Sequence, residues 1–183
     1  DCVLMTPTNV SLGNLHVDTI SKLDATGRLM SGPPPTKESW LHAAVYAARP
    51  HDHAVVHLHC THAVALSCLS DRDPEDVLPP ITPYFVMKVG HVPLIAYHRP
   101  GSKKVGDAVA EAIDRYGHAG TAIRAVMLSR LGPNVWHDSP AKAMALVEEL
   151  EETARLVALG GPLLEPLTDA AIDELRRTFG ARW

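Results

Sequence analysis

An α/β domain is expected from three features of the 183-residue chain. Short apolar runs rich in β-branched residues, Ala54-Val55-Val56-His57-Leu58-His59 and Ala125-Val126-Met127-Leu128, read as buried strands. Between them lie longer stretches whose apolar residues recur every three or four positions, the period of an amphipathic helix. Hydrophobic residues make up 46% and charged residues 21%, so the chain can fill a core and is not disordered. Without repeats, low-complexity tracts or linkers, one domain over 1–183 is expected.

The elements follow in order. Residues 1–32 read as short strands and turns, broken at Pro7, Gly13-Asn14, Gly27 and Gly32. The chain opens in what reads as the second half of an apolar strand, so an upstream segment is expected. Pro33-Pro34-Pro35 ends sheet pairing. Thr36 is the expected N-cap of a helix over 36–48, with Trp40, Leu41, Ala44, Val45 and Ala48 as its apolar stripe. A strand over 54–59 and a helical stretch over 61–69 follow, the latter ended by an acidic loop over 71–76. Residues 86–89 and 92–96 read as two strands joined at Gly90-His91. A helix over 103–115 turns Val105, Val109, Ala112 and Ile113 inward. The strand over 125–128 is broken by Gly132-Pro133. Past Ser139-Pro140 comes the longest helix, reaching about residue 159, and Thr168 caps a last helix ending at Gly180.

Charge and cysteine usage exclude several classes of function. The formal net charge is −4 and no basic block stands out, which disfavours a nucleic-acid surface. No apolar run approaches the ~20 residues of a membrane span, and the N-terminus is not a signal peptide. Cys2, Cys60 and Cys68 are odd in number and show no CxxC spacing. They point to a reducing, cytoplasmic setting and against a disulfide framework or a thiolate zinc site. Histidine is the unusual residue: there are 11, and His51, His53, His57 and His59 fall within nine positions.

His57-Leu58-His59 carries the chemistry. On a strand, residues i and i+2 share a face about 6.5–7 Å apart. Two imidazoles so placed can converge on one divalent ion, at ~2.0–2.1 Å each if it is zinc. The alternative is two unrelated histidines, one hydrogen-bonded in the core and one at the surface. Glu38 lies in the first turn of the expected 36–48 helix, where free N–H groups and the helix dipole favour an anion. It reads either as a solvated capping carboxylate or as an acid/base beside the histidines, since the intervening helix can fold back on the strand.

Pro35-Thr36-Lys37-Glu38, His42, Tyr46, Arg49-Pro50 and the run over 54–59 together resemble the core of the class II aldolase/adducin family. The similarity extends from Thr6-Pro7-Thr8 to the segment over 149–155. Within the family, Ala65-Leu66-Ser67-Cys68-Leu69, the run over 82–90, Pro100-Gly101 and the run over 148–156 resemble the 3-oxo-tetronate 4-phosphate decarboxylase branch. The resemblance implies a three-layer α/β/α domain around a mostly antiparallel sheet, assembled as a homotetramer. It implies His57 and His59 as metal ligands, Glu38 as the catalytic acid/base, and Thr8, Asn9, Thr36 and Lys37 as groups holding the substrate phosphate. The divalent ion is expected to be zinc, with manganese, iron or cobalt as alternatives.

Two departures from the family pattern stand out. In Leu128-Ser129-Arg130-Leu131-Gly132-Pro133, Leu131 stands where the family places its third metal histidine. Glu38, water, or one of His51, His53, His62, His91 and His98 is left to complete the shell. The family's glycine- and asparagine-bearing phosphate loop would lie upstream of Asp1. The activity implied is metal-dependent loss of CO2 from a phosphorylated 3-oxo four-carbon sugar acid. An aldolase or epimerase of sugar phosphates and a non-catalytic adducin-like module are the alternatives.

Overall fold

The computed structural model describes residues 2–183. A small antiparallel sheet comes first: β1 (Cys2–Met5), β2 (Ser21–Asp24) and β3 (Leu29–Ser31). Then follow α1 (Ser39–Ala48), β4 (Ala54–His57), α2 (Thr61–Ser67), β5 (Leu94–Ile95), α3 (Lys103–His118), β6 (Ala125–Leu128), β7 (Gly132–His137), α4 (Pro140–Gly160) and α5 (Asp169–Phe179). The second sheet has the order β4-β7-β6-β5. Its β4–β7 and β7–β6 pairs are antiparallel and β5–β6 is parallel.

Strand alternation sends side chains to two cores, and this makes the layers. Val55, Val126, Leu128 and Trp136 face Leu41 and Val45 of α1 and Val105 and Val109 of α3. Ala54, Val56, Ala125, Met127 and Val135 face Ala63 and Leu66 of α2 and Leu146, Val147 and Leu150 of α4. The mostly antiparallel sheet is therefore sandwiched between helices, as the family resemblance implied. Among the described residues no helix is long and apolar enough to cross a membrane.

The helix signals at the C-terminal end hold: the Ser139 hydroxyl accepts from the Lys142 N–H, that of Thr168 accepts from the Ala171 N–H, and Gly180 closes α5 at φ 69°. Three readings are corrected. Residues 86–89 are not a strand. Phe85–Val89 is a π-helical turn that buries Phe85, Val86 and Val89, and the Thr82 hydroxyl accepts from the Phe85 N–H at 3.1 Å. A short apolar run has no periodicity of its own to separate helix from strand, so tertiary burial decided. Gly132-Pro133 was expected only as a break, yet it opens the central strand β7, with Pro133 at the second position where the chain leaves a turn. The N-cap of α1 is Glu38, and Thr36 serves the preceding turn by accepting from the Glu38 N–H at 3.4 Å.

Glu151 of α4 holds α2 in place. Its carboxylate accepts from the His62 and Ala63 N–H groups, both at 3.0 Å, and from His62 Nδ1 at 2.8 Å. Burial raises the pKa of this carboxyl, but those hydrogen bonds outweigh it and hold the group below the ordinary glutamate value. Glu151→Ala strips the free N–H groups of a short helix. Urea denaturation at pH 7 is expected to show a loss of about 2 kcal/mol. The folded-state pKa is the lower one, so this stabilisation is present above pH 4.5 and is lost as the carboxylate protonates.

The three thiols are free. Burial, and then the charge of Glu151, push the Cys60 thiol up to about 11, whereas Cys2 and Cys68 are exposed. Ellman's reagent at pH 8 is expected to label two thiols rapidly and the third at least about tenfold more slowly, since the thiolate is the reacting form.

Candidate metal centre and active site

The paired histidines sit where β4 leaves the sheet. The strand ends at His57, and the Leu58 N–H still donates to the Pro133 carbonyl at 3.4 Å. His59 lies beyond the strand, but its ring stays beside that of His57, with centroids 5.2 Å apart and planes at 70°. The side-by-side placement read from the sequence is kept, although a bend and not a strand repeat produces it.

His57 is held in one tautomer. Its Nδ1 lies 2.9 Å from the Pro133 carbonyl oxygen, which can only accept, so Nδ1 carries the proton. The lone pair is left on Nε2, which is sealed from solvent and has no hydrogen-bond partner. Burial lowers the His57 pKa against the opposing effect of the Pro133 bond, and neighbouring His59 lowers it further. A neutral imidazole with its second nitrogen fixed by a carbonyl is the form that ligates metals.

The β6–β7 turn packs onto this segment. Gly132 has φ 101°, and a Cβ there would lie 2.6 Å from the Leu58 carbonyl oxygen and 3.5 Å from His59 Cα. The Arg130 N–H donates to Ser67 Oγ at 2.9 Å, in a left-handed conformation at φ 66°. Leu131, next in the turn, packs against the core shared by α1 and α3.

α1 supplies the opposite wall. Glu38 and His42, four residues apart, share one face of the helix. Burial, and then the proximity of His57, push the His42 pKa down to about 4, and its Nδ1 has no partner. The Glu38 Oε1 accepts from the Gly101 N–H at 3.1 Å, which orients the carboxyl toward the turn ahead of α3.

Of the residues expected to hold phosphate, Thr36 and Lys37 directly precede Glu38, and Thr8 lies on the segment that pairs with residues 34–36. Pro7 and Pro35 form an isolated bridge, the Thr8 N–H donates to the Pro34 carbonyl at 3.1 Å, and the Thr36 N–H donates to the Thr6 carbonyl at 2.9 Å. Thr6 thereby lies opposite Thr36, and Thr8 lies two positions along, beside Pro34. Asn9 is exposed in a left-handed turn at φ 61°, and Lys37 is exposed at the mouth of α1.

A three-histidine shell is not formed. Among the described residues no three His, Cys, Asp or Glu side chains come close enough to share one ion. His62 pairs with Glu151 and His91 with Asp76 at 2.7 Å, so both are engaged elsewhere. Glu38, His51, His53 and His98 do not complete the pair either. A cleft of about 500 Å3 lies on another face of α1, between β1–β2 and Trp40, Ala43 and Tyr46, and is lined by none of these histidines.

Two buried groups lay outside the sequence reading of the site: His42, seen only as part of a motif, and Asn134. Asn134 is fully buried on β7 with neither amide atom bonded. No sequence signal marks it, because its position opposite His57 follows from β4–β7 register alone.

Layered helices on a mostly antiparallel sheet, with an imidazole pair at one strand end and a carboxylate at the mouth of the adjoining helix, define the class of protein. The chain belongs to the class II aldolase/adducin family: the Class II Aldolase and Adducin N-terminal domain matches residues 1–158. A 3-oxo-tetronate 4-phosphate decarboxylase of Cupriavidus necator is 45% identical, the match covering 98% of this chain and 82% of the relative. The crystal structure of YgbL from Escherichia coli superposes with a TM-score of 0.87 at 41% identity, covering 96% of this chain and 82% of that one. An L-fuculose 1-phosphate aldolase superposes with a TM-score of 0.82 at 25% identity, covering 98% and 80%.

Proposed function

We propose that the chain is a metal-dependent carbon–carbon lyase that converts 3-oxo-tetronate 4-phosphate to dihydroxyacetone phosphate and CO2. The observation that carries this reading is the 45% identity to a decarboxylase of that substrate over nearly the whole chain. The site geometry supports it.

The fit to a divalent ion rests on His57. A buried, unpartnered Nε2 in a fixed tautomer, beside a second imidazole, is a lone pair awaiting a cation. His57 and His59 would hold the ion, which we read as zinc. Once bound, it supplies Lewis-acid stabilisation of the negative charge that develops on the ketone oxygen as CO2 leaves.

The chain's own groups do the rest. Loss of CO2 from a β-keto acid leaves the bonding electron pair on C2, and Glu38 delivers a proton to that carbon. The Gly101 N–H holds one oxygen of the Glu38 carboxyl, so the proton is offered in a set direction. Thr8, Asn9, Thr36 and Lys37 hold the phosphate with the threonine hydroxyls, the Asn9 side-chain amide and the Lys37 ammonium at a helix mouth. His42, neutral because of its burial, adds no charge to repel a cation. No base is needed to remove a hydroxyl proton before the bond breaks, which separates this reaction from aldol cleavage. We further read the protein as cytoplasmic and homotetrameric. Its free thiols suit a reducing compartment, and the exposed Leu4, Val17 and Met30 suit subunit contacts.

The likeness to an L-fuculose 1-phosphate aldolase favours sugar-phosphate cleavage as the second reading. Zinc-loaded protein is to be offered each substrate, with CO2 and aldehyde measured in parallel. CO2 release from the oxo acid, with little aldehyde from the sugar phosphate, is expected. Aldehyde without CO2 establishes the second reading, and neither product from a chain that also ignores chelators indicates a non-catalytic module.

A further inference from the structure

Asn134 is the least explained polar residue of the protein. It is fully buried, and neither its amide nitrogen nor its amide oxygen has a partner. A primary amide gives up strong hydrogen bonds to water on burial, so an empty one in the centre of a sheet calls for an occupant.

Strand register decides what Asn134 faces. It is the Cα partner of His57 on β4 and of Val126 on β6. Directly opposed residues of an antiparallel pair project from the same face, with Cβ atoms about 4.5–5.5 Å apart. Val55, Val126 and Trp136 pack against α1 and α3, so this face is the α1 side. On it lie the unpartnered Nε2 of His57 and, from α1, the unpartnered Nδ1 of His42. The polar atoms of this layer do not bond one another. Across it Leu131 offers only a hydrocarbon.

The chemistry of the empty positions is specific. His57 donates through Nδ1 to Pro133, so Nε2 presents a lone pair. An amide oxygen also presents lone pairs, and it ligates hard divalent cations as carbonyls do. We propose that Asn134 Oδ1 is the third protein ligand of the divalent ion held by His57 and His59, in place of the imidazole that Leu131 does not supply. Two nitrogens and one neutral oxygen shift the site's preference toward manganese relative to a three-imidazole shell.

This inference rests on reading His57 and His59 as metal ligands, and the test separates the two. Binding of Mn2+ alone is followed from the electron paramagnetic resonance signal of the free ion, in wild type, Asn134→Val, Asn134→Asp and His57→Ala. Thermal unfolding of the metal-free proteins is measured alongside. Asn134→Val is expected to weaken Mn2+ binding at least about tenfold while raising the metal-free Tm, because an unsatisfied amide is replaced by an apolar group of similar size. Asn134→Asp is expected to tighten binding, since an anionic oxygen replaces a neutral one, and it carries the test if the valine variant does not fold. Unchanged binding in Asn134→Val, or in Asn134→Asp should that variant stand alone, with binding lost in His57→Ala, overturns the role of Asn134 and leaves the histidine pair standing. Unchanged binding in His57→Ala overturns both.

Discussion

Glu38→Gln is expected to lower kcat for CO2 release by about 10²–10⁴-fold, the usual contribution of a positioned proton donor. The amide keeps an oxygen to accept from the Gly101 N–H, so the α1 mouth and the turn ahead of α3 stay in place. Substrate affinity and Tm should therefore stay close to wild type. His57→Ala is expected to lose activity to a similar or greater degree by another route, because it removes the group whose Nε2 awaits the cation. The two losses are distinguishable. Excess divalent metal recovers part of the activity of the histidine variant and none of that of the glutamine variant. If Glu38→Gln turns over at the wild-type rate, Glu38 is not the proton donor.

Gly132→Ala is expected to be a strongly damaging single-methyl change at the turn beside the histidine pair. Its Cβ would enter at 2.6 Å from the Leu58 carbonyl oxygen and 3.1 Å from Val64 Cγ2, on a backbone at φ 101°. Strain at such a φ and overpacking each cost about 1–3 kcal/mol, so a combined loss of roughly 2–6 kcal/mol is expected. Gly27→Ala is the control, since its φ is 82° and nothing lies within 4 Å of the added atom. It should show the backbone strain alone. The larger loss in Gly132→Ala, read from urea denaturation, measures the clash. Weaker metal binding should accompany it, because the displaced atoms belong to the segment that sets His59 beside His57. Equal destabilisation in both variants would show that the turn yields without disturbing the pair.

How far the sequence could be read varied with the range of the interactions. Helices α3, α4 and α5 were legible because period, N-cap and C-cap are local signals, and Ser139, Thr168 and Gly180 each fill the expected position. The pairing of His57 and His59 was legible from their spacing, but the bend after His57 that sets the two rings side by side was not. The π-helical turn over Phe85–Val89 was not, since so short a run, apolar but for Lys88, fits either period until Thr82 and the surrounding core choose one. Nor was β7, where a Gly-Pro dipeptide spells a break yet the next residues run down the centre of the sheet.

By itself, then, the sequence determined the α/β character, the two imidazoles and the carboxylate one helix away, together with the leucine at the position of a third ligand. Only the tertiary structure decided which nitrogen of His57 is free, that His62 and His91 are committed to Glu151 and Asp76, and that a buried amide faces His57. The reason is physical: tautomers, ion pairs and cross-strand neighbours are contacts between segments far apart in the chain. Those contacts are fixed by strand register and helix docking.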